Sequence, residues 1–323
     1  MPGPRARKNY NFTLVTERIL APALFVGLGL ALALPAKAQD GRILRVLTIN
    51  IQEDAKDGRL PGVTELIRAS SADVVNIQEV DKNGETIAAA LGFHFLKEGP
   101  DTAVLSRFEI AGPTAGKHGA VIVFPGGGKI AVFNVHFLYK PYQPYQLLGI
   151  PYGDDPFFKT EAEAVAAAIK TRGGEVADAL KDIAGLADKN MAVVLTGDFN
   201  EPSHQDWTEA AAKARRHPIK VVWPATKAFV DAGLVDVYRE LYPDEIARPG
   251  NTWTPTTAAA DPKDHHDRID FIFRRGAGLR TATVDVVGEK SPESTVVFEP
   301  YPTDHRAVLA SFALSASDKK PAR

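Results

Sequence analysis

The stretch Val194 to His204, VLTGDFNEPSH, runs from apolar β-forming residues directly into an acid and an amide. In a strand, side chains two positions apart point to the same face, so Asp198 and Asn200 project together if strand geometry continues past Gly197. An acid and an amide suit a buried core poorly, because their polar groups lose water unless they are paired. The stretch therefore indicates either a polar turn or a site at the end of a strand.

Similar strand ends occur elsewhere in the chain. Polar residues stand at or beside the ends of five more apolar runs: Thr48 and Asn50 in LTIN, Gln78 and Glu79 after DVVNI, Asn134 and His136 in VFNVHF, Asp270 in RIDFIF, and Asp304 and His305 before AVLASF. For any single run, a strand that enters a polar turn is a sufficient explanation. Six runs together, with His and Glu among their polar residues, favour one shared site.

The residue types limit the chemistry of that site. The chain has 323 residues and no Cys, which excludes disulfides, thiolate metal sites and cysteine nucleophiles. Glu, Asp, Asn and His suit a hard cation such as Mg²⁺, Mn²⁺ or Ca²⁺. Such a cation polarises a phosphoryl oxygen, while a carboxylate deprotonates water and a carboxylate-held imidazolium stabilises the transition state. These residues therefore predict phosphoester hydrolysis without a covalent intermediate.

Residues 1–38 are typical of an export signal. Four basic residues precede a 16-residue apolar run, Ile19 to Leu34, and small residues follow at Ala36 and Ala38. A membrane anchor is the alternative, but a spanning helix needs roughly 20 apolar residues. Cleavage after Ala38 would remove five of the 38 basic and one of the 40 acidic residues, leaving a net charge of −6. We expect a periplasmic or extracellular monomer without stable membrane insertion and without a basic nucleic-acid footprint.

The remaining chain alternates short β-branched runs with helical stretches. Nine such runs predict strands: ILRVLTIN, DVVNI, TAVL, AVIVF, KIAVFNVHF, MAVVLTG, RIDFIF, LRTATVDVV and AVLASFAL. Helices are predicted at VTELIRA, at GETIAAAL, at TEAEAVAAAIK after a capping box of Thr160 and Glu163, at GEVADALKDIAGLA after a break at Gly173 and Gly174, and from Ser203 onward. FPGGGK between two strands is predicted to be a hairpin loop. The irregular alternation favours one α/β domain, residues 39–314, with two packed sheets flanked by helices. Residues 315–323 are predicted to be a disordered tail.

Six of these motifs occur in an order that resembles the endonuclease/exonuclease/phosphatase superfamily. The motifs are TIN at 48–50, IQE at 77–79, NVH at 134–136, GDFN at 197–200, RIDFI at 268–272 and TDHRAV at 303–308. The superfamily includes pancreatic-type deoxyribonuclease, abasic-site endonucleases, neutral sphingomyelinases and inositol polyphosphate 5-phosphatases. The resemblance implies a four-layered α/β sandwich of two central mixed sheets flanked by helices, with the site at one edge.

The resemblance also implies which residues bind the metal and the water. Glu79 would be the principal ligand of Mg²⁺, or of Mn²⁺ or Ca²⁺, with Asn50 beside it and Asp304 completing or supporting the metal shell. Asp198 would orient and deprotonate the attacking water. Asn200 would hold the phosphate or that water.

Two histidines are implied as further catalytic residues. His305, backed by Asp270, would contact the scissile phosphate and stabilise its transition state. His136 would bind a phosphate oxygen or help the leaving group, with Asn134 as its neighbour in substrate binding. Gln78 would support the metal shell.

The acid that backs His305 has two candidates. Asp270 lies inside an apolar run and is our choice, whereas Asp267, followed by Arg268, is the alternative. His265 and His266 could hold a second metal, but two histidines on a polar approach to a strand more often face solvent or fix a loop. They are left out of the predicted site.

Two segments bear on the substrate. The insertion FLYKPYQPYQLLGIPYGDDPFF, residues 137–158, contains Tyr139, Tyr142, Tyr145 and Tyr152. These rings either stack on bases or sugars or pack on the domain as a lid stiffened by proline. The cluster Lys213, Arg215, Arg216 and His217 is expected to complement a helix C-terminus rather than a nucleic-acid backbone.

Three functions follow from the sequence. The first is an exported, metal-dependent phosphodiesterase, including a nuclease. The second is a phosphatase or phosphodiesterase of a small or lipid phosphate, such as an inositol or sphingolipid headgroup. The third, a binding module that kept the fold, would lack at least one of the site residues, and none is lost.

Overall fold

The computed structural model describes residues 11–14, 43–125 and 127–314. The strands are β1 Asn11–Leu14, β2 Ile43–Asn50, β3 Val74–Gln78, β4 His94–Lys97, β5 Thr102–Ser106, β6 Glu109–Pro113, β7 Gly119–Val123, β8 Lys129–His136, β9 Ala192–Asp198, β10 Val235–Asp236, β11 Asp270–Arg275, β12 Leu279–Gly288, β13 Val296–Glu299 and β14 Ala307–Leu314. The helices are α1 Gln52–Ala55, α2 Leu60–Ser70, α3 Asn83–Leu91, α4 Gln143–Leu148, α5 Glu161–Ala184, α6 Glu209–Lys213, α7 Pro224–Asp231 and α8 Val237–Leu241.

The strands form two mixed sheets. The eight-stranded sheet has the order β1-β13-β12-β14-β2-β3-β5-β4, and the six-stranded sheet has the order β10-β11-β9-β8-β7-β6. β2 pairs with β3 in parallel, and β8 with β9, whereas β14, β5 and β11 join their neighbours antiparallel. Their inner faces meet over aliphatic side chains such as Val46, Val74, Val132, Val194 and Ile272.

Helices cover both outer faces. Val63, Leu66 and Ile87 of α2 and α3 pack on the eight-stranded sheet. Ile183 of α5 and Phe229 of α7 pack on the six-stranded sheet. Because each helix buries one apolar stripe on a sheet, the result is helix, sheet, sheet and helix. This arrangement confirms the predicted four-layered α/β sandwich.

Chain direction gathers the polar strand ends of the eight-stranded sheet at one edge. β2 and β3 run parallel, so Asn50 and Gln78 end side by side as register partners. β14 runs antiparallel to β2 and therefore begins at this edge, directly after Asp304 and His305.

The six-stranded sheet brings its polar ends to the same place. His136 at the end of β8 is the register partner of Asp198 at the end of β9. Asp270 opens β11 opposite Asp198 on the other side. Beneath the edge, Gln78 Nε2 of one sheet donates to Asn134 Oδ1 of the other at 2.6 Å.

Two predicted helix boundaries are wrong. α5 continues through Gly173 and Gly174 as one helix, although each glycine costs up to about 1 kcal/mol in a helix. Packing offsets that cost, since Val176 and Ile183 are buried beyond the glycines. No helix starts at Ser203, because Asp206 is bound by Arg268 and Arg239 instead.

The other local predictions are confirmed where the structure describes them. Helices α2 and α3 lie where VTELIRA and GETIAAAL predict, and Thr160 with Glu163 forms the capping box of α5. β7 and β8 form the hairpin across FPGGGK, of which Gly126 is outside the described residues.

The two ends of the chain are described only in part. Within the predicted export segment, residues 11–14 form β1 and pair with β13. The rest of residues 1–38 and the predicted tail, 315–323, lie outside the described residues. Within the described ranges, no helix combines the length and apolar content needed to cross a membrane.

Candidate active site

The end of β9 is shaped by close contact between strands. Gly197 has a φ of +145°, and a Cβ there would lie 1.9 Å from the carbonyl oxygen of Val135. Strand geometry ends at Asp198, and Asn200 has a φ of 49°. Asp198 Oδ1 accepts the Asn200 backbone N–H at 2.8 Å, and Asn200 Nδ2 donates to the Phe137 carbonyl at 2.9 Å. The end of β9 therefore carries Asp198 to the site, and the turn that follows carries Asn200.

Asp198 is the centre of the site. Its carboxylate is buried, and Oδ2 accepts from Asn50 Nδ2 at 3.1 Å. The same oxygen lies 3.8 Å from Nε2 of His136 and 3.7 Å from Nε2 of His305. Asn50 Nδ2 also donates to Glu79 Oε1 at 3.0 Å. One carboxylate therefore joins residues from both sheets.

Each imidazole is held by a second carboxylate. Nδ1 of His305 donates to Asp270 Oδ2 at 3.0 Å. Nδ1 of His136 donates to Asp101 Oδ2 at 2.6 Å. Since each Nδ1 is bound in this way, each Nε2 is directed at Asp198.

These carboxylates keep both imidazoles charged. Burial by itself lowers the pKa of His305, but the Asp270 and Asp198 carboxylates raise it to about 10. Burial likewise opposes the charge on His136, but the Asp101 hydrogen bond and the Asp198 charge raise its pKa to about 9. Both side chains are imidazolium ions at neutral pH.

The donor set beside Asp198 fits a hard cation. Glu79 and Asp304 are carboxylates that line the same cavity, and burial together with the charge of Glu79 raises the pKa of Asp304. A cation would relieve that repulsion, and oxygen ligands suit Mg²⁺, Mn²⁺ or Ca²⁺. Asn50 here presents Nδ2 to Glu79, while Oδ1 accepts the Gln52 backbone N–H at 2.9 Å. The amide would therefore have to turn over to act as an oxygen ligand.

A left-handed turn borders the candidate cation-binding residues. All four residues of α1 have φ between 48° and 59°, a conformation that costs an L-residue roughly 1–2 kcal/mol. Glu79 stabilises it, because Oε2 accepts the Glu53 backbone N–H and the Glu79 carbonyl accepts that of Asp54, both at 2.7 Å. Asp54 in turn accepts backbone N–H groups of Asp81, Lys82 and Asn83. These hydrogen bonds hold the strained backbone of α1 next to the Glu79 carboxylate.

The site opens into a cavity of about 840 Å³. The predicted residues that line it are Glu79, His136, Asp198, Asn200, Asp304 and His305. Asn50 and Asp270 lie behind this lining and contact it through hydrogen bonds. Lys56 is the single Lys or Arg among the lining residues, which include seven carboxylates.

The tyrosines of the insertion form one wall of this cavity and fall into two groups. Tyr142 and Tyr145 are buried, and their hydroxyls donate to Asp267 and Asp264. Tyr139 and Tyr152 are 54% and 38% exposed at the rim. Packing on the domain therefore accounts for the first pair, and the second pair is free to contact a substrate.

Asn134 does not reach the cavity. It is buried, its Nδ2 donates to the carbonyls of Ile77 and Ala103, and its Oδ1 accepts from Gln78. The predicted contact of Asn134 with substrate is therefore incompatible with its place between the sheets. Gln78 is buried in the same network, where its Nε2 donates to Thr48 Oγ1 and to Asn134 Oδ1, and its support of the metal shell stays a prediction.

Asp267 and the polar approach to β11 lie apart from His305. Asp267 Oδ2 accepts from the Tyr142 hydroxyl at 2.8 Å, and Oδ1 accepts from Trp207 Nε1 at 2.9 Å. Asp270, not Asp267, contacts His305. His265 lies beside Asp267 and His217, and burial, followed by the His265 charge, lowers the pKa of His217 to about 3.

The basic cluster at 213–217 is not one surface. Lys213 lies in the last turn of α6 and pairs with Glu209. Arg216 donates to the Ile246 carbonyl, and His217 stacks on Trp207 with ring centroids 4.3 Å apart. Lys213 therefore lies at the C-terminal end of a helix, as expected, whereas the His217 side chain is largely buried.

The sequence alone missed Asp101 and Trp253. Asp101 precedes β5, which is antiparallel to β3, so its register places it beside Glu79. The beginnings of antiparallel strands, and not only strand ends, would have revealed it. The backbone of Trp253 forms an isolated antiparallel β-bridge with that of His305, and the two ring centroids are 4.8 Å apart. It lies in a loop without strand periodicity, so no sequence pattern marked it.

The two-sheet α/β sandwich brings acids, an amide and imidazoles together at one edge. The family model described as Endonuclease/Exonuclease/phosphatase family matches residues 47–305, and this chain belongs to that family. Membership indicates a phosphoester-hydrolysing enzyme of a kind that usually depends on a divalent metal.

Relatives extend over most of the chain. The uncharacterized protein F14F9.5 from Caenorhabditis elegans is 28% identical over 296 residues, which cover 83% of this chain and 91% of that protein. An AP endonuclease from Archaeoglobus fulgidus has a TM-score of 0.54 at 17% identity, with 84% of this chain and all of that chain (100%) covered.

Two further solved structures share the fold. TDP2 from D. rerio, complexed with a single-strand DNA product, has a TM-score of 0.51 at 19% identity. The match covers 84% of this chain and 98% of the TDP2 chain. An endonuclease/exonuclease/phosphatase from Beutenbergia cavernae has a TM-score of 0.51 at 18% identity, with 85% and 72% covered. At these identities the likeness shows the fold.

Proposed function

We propose that this protein is an exported, divalent-metal-dependent phosphodiesterase that cleaves a P–O bond by direct attack of water. The observation that carries the proposal is the position of Asp198. Its Oδ2 lies 3.1 Å from Asn50 Nδ2, 3.8 Å from His136 Nε2 and 3.7 Å from His305 Nε2, at the base of the cavity. An anionic base flanked by two cationic imidazoles matches water activation beside a phosphate.

Each group then has a defined task. Asp198 orients the water and takes its proton, and Asn200 keeps one amide N–H and its carbonyl oxygen for the water or phosphate. His305 stabilises the charge that develops on the phosphoryl oxygens, and Asp270 fixes its orientation. His136, held by Asp101, contacts a phosphate oxygen or protonates the leaving group. Glu79, Asn50 and Asp304 would hold the cation, which supplies Lewis-acid polarisation of the phosphoryl oxygen when bound.

The cavity lining favours a compact headgroup over a long polyanion. Nucleic-acid binding draws on many Lys and Arg contacts to phosphates, whereas Lys56 is the single Lys or Arg among these lining residues. Seven carboxylates and the exposed rings of Tyr139 and Tyr152 line the cavity instead. We therefore place a small or lipid phosphodiester first. A nuclease is the second candidate, supported by the DNA in the TDP2 complex that shares the fold.

A substrate panel tests the proposal. Purified protein would be assayed in Mg²⁺ or Mn²⁺ with supercoiled plasmid, an inositol polyphosphate, sphingomyelin vesicles and bis-p-nitrophenyl phosphate, and Asp198→Asn is the control. We expect metal-dependent hydrolysis of at least one diester, lost in the variant. Hydrolysis that survives EDTA unchanged would overturn the metal requirement, and plasmid nicking as the fastest reaction would make the protein a nuclease.

Export rests on the N-terminal segment. The basic residues and the apolar run from Ile19 to Leu34 support secretion to the periplasm or beyond. N-terminal sequencing of protein recovered from the expressing cell, fractionated into cytoplasm, periplasm and medium, tests this part. An exported species that begins at Gln39 is expected, and an intact cytoplasmic species would contradict it.

A further inference from the structure

A second group of ligand-type side chains lies outside the candidate active site. Nδ1 of His217 is 3.0 Å from Nε2 of His265. Asp267 Oδ1 is 3.8 Å from the same His265 nitrogen and 4.0 Å from His217 Nδ1. Two imidazole nitrogens and one carboxylate oxygen therefore face a common point, although His217 and His265 are 48 residues apart in sequence.

The spacing is close to that of a metal's ligands. With Zn–N and Zn–O bonds of about 2.0–2.1 Å, the ligand atoms of a tetrahedral Zn²⁺ ion lie about 3.3 Å apart. The nitrogen pair, at 3.0 Å, is a few tenths of an ångström closer than this, and the carboxylate oxygen, at 3.8 and 4.0 Å from the two nitrogens, is about 0.5 and 0.7 Å farther away. Shifts of that size need only small side-chain rotations.

Contacts around the group fix its members. Asp267 is held by Trp207 Nε1 and by the Tyr142 hydroxyl. His217 stacks on Trp207 at an interplanar angle of 13°. Hydrogen bonds to a ligating carboxylate and packing against a ligating ring are what orient metal ligands in proteins. The side chains of His217 and His265 remain 10% and 17% exposed.

The group also has access to solvent. His217, His265 and Asp267 line a cavity of about 270 Å³ that is separate from the active-site cavity. Asn251 and Glu293 lie in the same lining, so the cavity can hold water. A metal ion would have an entry path and room for a fourth ligand.

We propose that His217, His265 and Asp267 bind a transition-metal ion of the Zn²⁺ type, with water or an anion from the cavity as the fourth ligand. Two imidazoles and one carboxylate suit Zn²⁺, whereas the oxygen-rich set at Glu79 suits Mg²⁺. The two sites therefore differ in metal preference and can be filled independently.

The ion has a structural task. Asp267 binds the metal through Oδ1 and the Tyr142 hydroxyl through Oδ2. Tyr142 belongs to the buried half of the tyrosine wall of the active-site cavity. The metal thus ties the insertion, residues 137–158, to the segment that precedes β11.

Cobalt spectroscopy in excess Mg²⁺ tests the site. Co²⁺ replaces Zn²⁺ and gives visible absorption bands that report low-coordinate binding, while Mg²⁺ keeps the active-site carboxylates occupied. We expect about one equivalent of Co²⁺ to produce these bands, and Zn²⁺ to displace it. No turnover is measured, so the outcome does not depend on the proposed phosphodiesterase activity.

Three variants assign the ligands. His217→Gln and His265→Gln should each weaken Co²⁺ affinity by about tenfold or more. His266→Gln is the matched control, because His266 is next to His265 in sequence but contacts Thr257 and not the proposed ligands. The Co²⁺ affinity of this variant should not change. Circular dichroism checks that each variant is folded. Bands absent from the unmutated protein, or equally strong in both ligand variants, would overturn the site.

A second measurement leaves the proposed ligands unchanged. The Trp207 ring stacks on His217, so bound Co²⁺ should quench the fluorescence of Trp207 in the unmutated protein. Trp253→Phe removes the tryptophan beside the active site, and quenching should persist in it. Quenching that disappears in Trp253→Phe would place the ion at the active site and contradict the proposal.

Discussion

Asp270 Oδ2 accepts from His305 Nδ1 at 3.0 Å, and this contact directs Nε2 of His305 at Asp198. Both partners are buried, so the pair is little screened by water. The pair joins β11 of one sheet to the segment before β14 of the other. The position of one imidazole thus depends on how the two sheets pack.

Removing the acid behind His305 should therefore lower activity. We expect Asp270→Asn to reduce kcat by about 10²–10⁴-fold, because the imidazole loses its orientation and its charge. Asp267→Asn is the matched control, since Asp267 lies three residues away and contacts Tyr142 and Trp207. Steady-state kinetics of both variants checks this, and a larger loss of kcat in Asp267→Asn would contradict the assignment.

Asp198→Asn should abolish the water-activating carboxylate. We expect kcat to fall by about 10²–10⁴-fold or more, with the fold retained, because Asn keeps a similar shape and an oxygen for the Asn200 N–H. Kinetics and thermal unfolding of the same preparation are the measurements. A variant that unfolds rather than losing only activity would show that Asp198 is structural.

Glu79→Gln should act on the metal requirement. We expect the Mg²⁺ concentration for half-maximal activity to rise by about tenfold or more, since Glu79 would be the principal ligand. Asp81→Asn is the control, because Asp81 lines the same cavity but pairs with Lys97 at its exposed side. Equal metal requirements in Glu79→Gln and in the unmutated protein would exclude Glu79 from the metal shell.

The histidine pKa values predict a pH dependence in the metal-free protein. In EDTA, His136 and His305 should lose their protons near pH 9 and pH 10, far above the usual value of about 6.5. Because both pKa values are raised by folding, the stabilisation is fully present below about pH 6.5 and is lost as pH rises through these values.

Nitrogen NMR of ¹⁵N-labelled histidine and thermal unfolding from pH 6 to 10.5 measure this effect. Asp101→Asn should bring the pKa of His136 back toward the usual value while leaving His305 high, because Asp101 contacts His136 alone of the two. Titration of both rings near pH 6.5 in the unmutated protein would contradict the geometry.

The exposed tyrosines should affect substrate binding. We expect Tyr139→Ala and Tyr152→Ala to raise KM by about tenfold with kcat nearly unchanged, because these rings are exposed in the cavity lining and are not among the groups proposed to carry the chemistry. Phe157→Ala is the matched control: Phe157 is 56% exposed in the same insertion but does not line the cavity. A loss of kcat without a change in KM would assign the rings to chemistry instead.

Local pattern predicted most of the fold. β-branched runs and capping residues located nine strands and the principal helices, because each signal acts within a few residues. Five strands were missed. β1 lies inside the predicted export segment, and β4, β6, β10 and β13 are short segments with little periodicity: HFLK, EIAGP, VD and VVFE. The continuous α5 was missed because tertiary packing outweighs two glycines.

The sequence predicted which residue types form the candidate site, but not how deeply each side chain lies between the sheets. The polar strand ends gave Asp198, His136 and His305, all of which line the cavity. Asn134 points to the same face as His136 but lies two residues further inside β8, where the other sheet covers it and the Ile77 carbonyl accepts from its Nδ2. Asp101 reaches His136 across 35 residues because the two sheets pack face to face, a relationship that no local pattern contains.

Hydrolysis of bis-p-nitrophenyl phosphate tests the central claim most directly, because it needs no specific headgroup. Rates would be measured in Mg²⁺, in EDTA and with Asp198→Asn. We predict that the unmutated protein releases p-nitrophenol, that EDTA stops the release and that added Mg²⁺ restores it. The rate of release by Asp198→Asn should be lower by at least about a hundredfold. Equal rates in the unmutated protein and Asp198→Asn, or rates indifferent to EDTA, would contradict a metal-dependent phosphodiesterase centred on Asp198.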